Sequence, residues 1–317
     1  MKYIGLQKQI SSNNKKSILL LLGFPAILLG AVYSVLILVS NNLDRLNFEA
    51  INESFIEISP YILIGTGIWF FIAYLGHSSM IDYASKAKGI TRKENMRVYN
   101  LTENLCMSVG MNMPKLKIIE SGALNAFASG LNKKNYSVTL TRGIIEKLND
   151  DELEGVIAHE LMHIRNNDVK LLVISIIFVG IFSLIIQIAF RGILYGNMGR
   201  SRKKDGKGSA ALLIIILLVS IIAYLISLLF KFAISRKREF LADAGAAEMT
   251  RKPNSLANAL KKISSNSKIE SIRSDDIKQL FIDNSPDTKS KNILSNFRGL
   301  FSTHPPIEER IKILNQF

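Results

Sequence analysis

A single cysteine and only four histidines occur among 317 residues, and both scarcities narrow the reading. Cys106 alone can form no internal disulfide and no thiolate metal cluster, which fits a water-facing part held in a reducing compartment. No internal repeat and no low-complexity tract interrupts the chain. The net charge of +14 comes without any RNA- or DNA-binding motif, and the basic residues sit in the polar segments. Such a charge needs no nucleic-acid partner, and none is expected. A cleavable signal peptide is not expected either. The first apolar stretch is too long for one, and Ala26, Gly30 and Ala31 do not make a cleavage site.

Apolar residues, 48% of the total, are clumped instead of spread. Four runs stand out, at residues 17–39, 60–76, 171–190 and 210–230. The first, third and fourth carry no charge over roughly 20 residues, enough to cross a hydrocarbon core of about 30 Å. The second is shorter, but Trp69, Phe70, Phe71 and Tyr74 give it apolar bulk. The expectation is a polytopic membrane protein divided into five parts. Residues 1–16 form a cytoplasmic tail, and 17–76 hold membrane helices 1 and 2 with an outside loop at 40–59. Residues 77–170 are the first part of a water-facing domain, 171–230 a hydrophobic hairpin (helices 3 and 4), and 231–317 the second part of that domain.

Charge sets the orientation. The tail has Lys2, Lys8, Lys15 and Lys16 and no acid, whereas the following loop has Asp44, Glu49, Glu53 and Glu57 against Arg45. Lys and Arg accumulate on the cytoplasmic side, so the amino terminus belongs inside. The loop at 191–209 resists this scheme. It should lie outside, yet it holds Arg191, Arg200, Arg202, Lys203, Lys204 and Lys207 against Asp205. Either the hairpin is re-entrant, or packing against the first pair of helices offsets the misplaced charge.

In the polar segments, residues 93–109 read as a helix and 115–120 as a strand that turns at Ser121-Gly122. Residues 124–131 and 136–141 form a hairpin across Asn132-Lys133-Lys134-Asn135. Asn149, with Glu152 three positions on, is close to a capping box and opens a helix that should end near Asn166-Asn167. Residues 231–249 continue the fourth apolar run as a helix, and residues 261–298 mix short helices with loop. A last helix starts at Pro305-Pro306.

The capped helix contains His159-Glu160-Leu161-Met162-His163 on an apolar background. At i, i+4 two imidazoles project from one helix face and can share one zinc ion, while Glu160 can reach a metal-bound water as general base. A hydrolytic zinc usually takes three protein ligands. The other histidines, His77 and His304, are far away in sequence, so a carboxylate comes under consideration. Glu239 is the best candidate, because Glu239, Ala242, Asp243 and Ala246 share one face of their helix. The alanines permit close approach, and Asp243 could orient an imidazole through its second ring nitrogen. Two apolar runs separate His163 from Glu239, which returns both to the same side of a membrane.

Together these pieces resemble the HtpX-type membrane zinc endopeptidases, in the gluzincin group that also includes the CAAX prenyl protease. The resemblance rests on Asn125-Ala126-Phe127-Ala128-Ser129-Gly130, His159 to His163, the stretch from Ser235 to Asp243, and Thr303-His304-Pro305-Pro306 with Arg310. With the four apolar runs in family order it spans nearly the whole chain. It implies an α-helical polytopic membrane protein with an α+β zincin (gluzincin) catalytic domain, mostly helical with a small β-sheet. It also implies His159, His163 and Glu239 as ligands of one Zn2+ per subunit, and Glu160 as base. Asn125 would lie near an exposed, substrate-binding edge strand, and His304 and Arg310 would return to stabilise the oxyanion. The implied activity is cleavage of misfolded or damaged membrane proteins, at the cytoplasmic face of a bacterial inner membrane. The partners are unfolded polypeptides and the lipid bilayer, with oligomeric state left open.

Two other readings compete. A site-2-type intramembrane protease places H-E-x-x-H inside a hydrophobic segment, whereas this motif is flanked by Asp150 to Glu154 and Arg165 to Asp168. A zinc-binding membrane scaffold or sensor would have no need of Glu160.

Overall fold

The computed structural model describes residues 6–40, 47–195, 206–232, 236–267, 269, 281–282 and 305–317. Contacts divide the chain into two compact units. One combines Met1–Lys16, Gly76–Val173 and Phe232–Phe317; the other combines Ser17–Leu75 and Ile174–Lys231.

The second unit is made from the greater part of the long helices α1 (Leu6–Val39), α2 (Phe48–Ser85), α6 (Asp168–Tyr195) and α7 (Gly206–Phe232). Three stretches, Ser11–Val39, Phe48–Ser85 and Asp168–Leu194, are long and apolar enough to cross a membrane, and Leu212–Ser227 is a shorter apolar helix. Large apolar side chains such as Leu22, Ile64 and Phe71 face outwards, as helices surrounded by lipid require. Aromatic rings hold the unit inside: Phe178 stacks on Phe24 at 4.3 Å and on Phe70 at 5.3 Å between centroids.

Two helices start earlier than the charge pattern implies. α1 begins at Leu6, within the expected tail, because no proline or glycine breaks residues 6–22. α2 begins at Phe48, within the expected outside loop. The Asn47 side chain accepts from the Ala50 amide at 3.2 Å and caps it, and Pro60 sits inside the helix instead of opening it. Residues 196–205 of the basic loop lie outside the described residues, as do 233–235, where α7 was expected to run on unbroken, and most of 261–298.

The first unit has a four-stranded sheet in the order β1-β2-β4-β3, from β1 (Lys88–Gly89), β2 (Lys115–Ile119), β3 (Ala126–Ser129) and β4 (Ser137–Thr141). β3 and β4 form the expected antiparallel hairpin, with Ala126 opposite Leu140 and Ser129 opposite Ser137. Gly130 is required at its turn: φ is +124°, and a Cβ there would lie 2.6 Å from the Asn135 carbonyl oxygen. β2 runs parallel to β4, and β1 antiparallel to β2.

Helices α3 (Met96–Ser108), α4 (Arg142–Lys147), α5 (Asp150–Arg165), α8 (Arg236–Thr250), α9 (Pro253–Ile263) and α10 (Ile307–Leu314) complete this unit. α5 is its centre. A full capping box opens it, since the Glu152 amide donates to Asn149 Oδ1 at 2.9 Å and the Asn149 amide donates to Glu152 Oε2 at 3.0 Å. Leu153, Val156, Ile157, Ala158 and Leu161 are then buried all round the helix. Small residues let the partners close in. Gly155 meets Leu256 of α9, Gly245 of α8 meets Met162, and Ala242 and Ala246 are fully buried. Burial also pushes the Cys106 thiol up to about 11, which leaves it an inert packing residue.

A Cβ on Gly155 would lie 3.2 Å from Leu256 Cα, against backbone that cannot give. Gly155→Val is expected to destabilise the fold by about 1–3 kcal/mol through overpacking, with Gly155→Ala milder. Thermal unfolding in detergent reads the difference, and an unchanged midpoint for the valine variant would contradict this packing.

Candidate active site

Two helices bring the site together. α5 places His159 and His163 one turn apart on a single face, and α8 lays Glu239 across them. The ring nitrogens His159 Nε2 and His163 Nε2 are 3.1 Å apart. Glu239 Oε2 is 3.6 Å from the first, and Glu239 Oε1 is 3.5 Å from the second. Two atoms bound at about 2.0–2.1 Å to one tetrahedral zinc ion would lie about 3.3 Å apart. Among the described residues, these three are the only group of His, Cys, Asp or Glu donors that could hold a metal ion, with ligand atoms within 4.8 Å of one another.

The outer ring nitrogens are also spoken for. His159 Nδ1 lies 3.0 Å from Asp243 Oδ1, and His163 Nδ1 lies 3.0 Å from Asp168 Oδ2. With a proton on each Nδ1 donated to a carboxylate, both Nε2 lone pairs point inwards, the tautomer a metal ligand needs. Glu160 is buried beside His159 on α5.

Arg310, delivered by α10, has no exposed surface. Its Nε donates to Asp243 Oδ2 at 2.8 Å and its Nη2 to Asp243 Oδ1 at 2.7 Å, a bidentate pair. Its Nη1 donates to the Ile282 carbonyl at 3.2 Å and lies 3.7 Å from Glu239 Oε2. Burial disfavours the guanidinium charge, but Asp243, Glu239 and Glu160 together raise its pKa above the ordinary value.

The charges around the centre do not cancel. Four buried carboxylates (Glu160, Asp168, Glu239 and Asp243) face two buried guanidiniums, Arg238 and Arg310. Counted at formal charge they leave two negative charges in excess, which a divalent cation would neutralise, so the donor set fits a metal. The same carboxylates act on His159. Burial pushes its pKa down, and the Arg310 charge does the same. Hydrogen bonds to Asp243 and Glu239 outweigh both and bring it to about 9. Asp243 responds in the opposite sense. Burial raises it, but the Arg310 charge and hydrogen bonds from Arg310 and His159 hold it at about 2.

A family model described as peptidase family M48 matches residues 92–317. The chain belongs to peptidase family M48. A Bacteroides fragilis (strain ATCC 25285) relative named protease HtpX homolog is 52% identical, with 100% of each chain covered. A Listeria monocytogenes (serotype 4a, strain HCC23) protein of the same name is 39% identical over 98% of this chain and 99% of its own. Among solved structures, S. mikatae Ste24p superposes at a TM-score of 0.49 with 17% identity, over 96% of this chain and 67% of that one. This M48 chain is therefore a membrane metalloprotease, mostly helical with a small mixed sheet, and the family implies a metal. α5 is not one of its membrane-length apolar helices, unlike the site-2 arrangement.

Of the residues singled out in the sequence, His159, His163, Glu160, Glu239, Asp243 and Arg310 converge here. His304 lies outside the described residues. Asn125 is buried just before β3, where its Nδ2 donates to the Ser267 carbonyl at 2.8 Å. β3 is the sheet edge, but it is not exposed. All four of its residues are buried, and the Ala126 carbonyl accepts from the Ile282 amide at 2.9 Å. Phe281 packs edge-on against Phe127 at 5.0 Å. The motifs gave no sign of this covering, because it depends on a partner far along the chain.

Motif reading also passed over three neighbours of the centre. Asp168 had a signal, as the acid at the mouth of an otherwise uncharged run. Arg238 stands next to Glu239, with Nη1 donating to the Asp168 carbonyl at 3.3 Å. Asn13 had none.

Two outcomes follow. Removing Arg310 strands the Asp243 carboxylate in the interior, so Arg310→Met should destabilise by about 3–5 kcal/mol, read by thermal unfolding. Lysine should rescue poorly, because it cannot reproduce the fork. The raised His159 pKa stabilises the metal-free fold fully below its unfolded value of 6.5, and that stability is lost as pH rises through about 9. The metal-free midpoint should therefore fall across that window, and the fall should vanish in His159→Ala. A flat wild-type profile would refute the assignment.

Proposed function

We propose that this chain is a zinc-dependent endopeptidase that cuts misfolded or damaged membrane proteins at the cytoplasmic face of a bacterial inner membrane. The observation that carries the reading is the convergence of two imidazole nitrogens and one carboxylate, from α5 and α8, within 4.8 Å. One zinc ion per subunit, held by His159, His163 and Glu239, would supply Lewis acidity that polarises a peptide carbonyl and acidifies water.

The remaining work belongs to the protein. Glu160, buried and one residue from His159, takes the proton of the attacking water and returns it to the leaving amine. Asp243 and Asp168 hold the two imidazoles in register, and Arg310 clamps Asp243. Nη1 of Arg310 now binds a main-chain carbonyl, that of Ile282. A substrate carbonyl taking that place would receive a charge-assisted bond as its oxygen turns negative. His304, six residues before Arg310 in the chain, is assigned to the same task by resemblance alone. Backbone pairing along β3, with Asn125 at its start, would recognise extended chains with little regard to side chain.

Sidedness has its own support. Asn13 of α1 bonds to Asp168, so the lysine-rich amino-terminal segment belongs to the same unit as the centre. Basic termini stay in the cytoplasm, and the curated relatives are bacterial.

Glu160→Gln should keep zinc and lose about 10²- to 10⁴-fold in cleavage of a casein-type substrate. Glu239→Ala should lose the metal itself. Equal cleavage by Glu160→Gln and wild type would end the general-base assignment, and full zinc content in Glu239→Ala would end the third-ligand one.

A further inference from the structure

Asn13 sits in the polar stretch Ser11-Ser12-Asn13-Asn14-Lys15-Lys16, which by composition belongs in water. It is fully buried instead. Its Nδ2 donates to the Asn166 carbonyl at 2.8 Å and to Asp168 Oδ1 at 2.7 Å. Its neighbour takes part as well, because Asn14 Oδ1 accepts from Asn167 Nδ2 at 3.2 Å. Two consecutive asparagines of α1 thus read the junction between α5 and α6 residue by residue.

That junction is a sharp one. Asn166 caps α5, Asn167 adopts φ +59°, and Asp168 begins α6. The left-handed turn, which asparagine tolerates better than most residues, folds Asp168 back towards a ring five positions earlier. One carboxylate oxygen then faces His163 Nδ1 at 3.0 Å, and the other faces Asn13. Arg238 lies 3.9 Å from Asp168 Oδ1, too far for a strong bond. A carboxylate held at both oxygens cannot swing about its own axis, so the plane of the His163 ring is fixed from outside.

We infer that Asn13 is a positioning residue for the metal centre, acting through Asp168 on His163. The inference rests on the reading of His163 as a ligand. Only a side chain with two N–H donors at this reach can bridge a carbonyl and a carboxylate at once, which is more than a packing role requires. The span matched by the family model begins at residue 92, so this contact comes from a part of the chain outside that span.

The test uses full-length protein in detergent and measures the zinc dissociation constant by chelator competition. It compares wild type, Asn13→Ala, Asn13→Asp, Asp168→Ala and the Asn13→Ala/Asp168→Ala double variant. Loss of the direct partner should weaken zinc about 10- to 100-fold in Asp168→Ala, and loss of the support behind it about 3- to 10-fold in Asn13→Ala. If Asn13 acts through the Asp168 carboxylate, the double variant should bind no more weakly than Asp168→Ala. Asn13→Asp keeps the size but sets a carboxylate against Asp168, so it should be at least as weak as Asn13→Ala even if the alanine variant folds poorly. Wild-type affinity in both Asn13 variants, or losses that multiply in the double variant, would overturn the inference. His163→Ala separates the two levels. If it keeps full zinc stoichiometry, the ligand reading fails and takes this inference with it. If it is zinc-free while Asn13→Ala binds normally, only the role of Asn13 falls.

Discussion

The centre is governed by the confinement of like charge away from water. A buried carboxylate is tolerated only with a partner, and here four are gathered by helices that small residues allow to pack closely. Two guanidiniums answer part of the charge, and each has a definite station: Arg310 is forked onto Asp243, and Arg238 stands over Asp168. What they leave uncompensated is concentrated where His159, His163 and Glu239 face one another. A cation is the simplest completion of that arrangement, and the same carboxylates raise the pKa of His159. Arg310 stays charged because Asp243, Glu239 and Glu160 surround it, and Asp243 stays ionised because Arg310 and His159 bond to it, in an interior that favours neither.

Legibility in the sequence followed the range of the interaction. The histidine pair, the Asn149–Glu152 cap and the β3–β4 hairpin are set by residues a few positions apart, and periodicity alone reveals them. Glu239 is a long-range partner that could still be named, because few acids lie on a small-residue helix face with an even number of membrane crossings from His163. Asp168 required knowledge of how the chain turns at Asn167. Asn13 could not be read at all, since nothing local distinguishes a buried Asn-Asn pair from a solvated one. Charge misled at α2: Glu49, Glu53 and Glu57 suggested a loop, yet glutamate is a good helix former and Asn47 supplies a cap. The parallel pairing of β2 with β4 is likewise a product of topology, not of either strand.

The family signature and the physical surround of the centre are not the same set of residues. The matched span holds the proposed ligands, the proposed general base and Arg310. The first helix lies outside it, yet contributes a buried amide within one residue's reach of a ligand. Roles of this kind are invisible to any motif, because an asparagine in a polar stretch matches no pattern. They emerge only when each buried polar group is asked where its hydrogen bonds go.

The covered edge of β3 has a consequence for what the enzyme can accept. The Ala126 carbonyl is already engaged by Ile282, and Phe281 lies on Phe127. Any polypeptide that pairs with this strand has to win that carbonyl by exchange. Native proteins keep their own amides committed to helices and sheets, so they have little to offer in such a contest. A chain that has lost its structure carries amides to spare, so if substrates pair with β3 as proposed, the barrier would act as a filter that senses disorder without reading a single side chain.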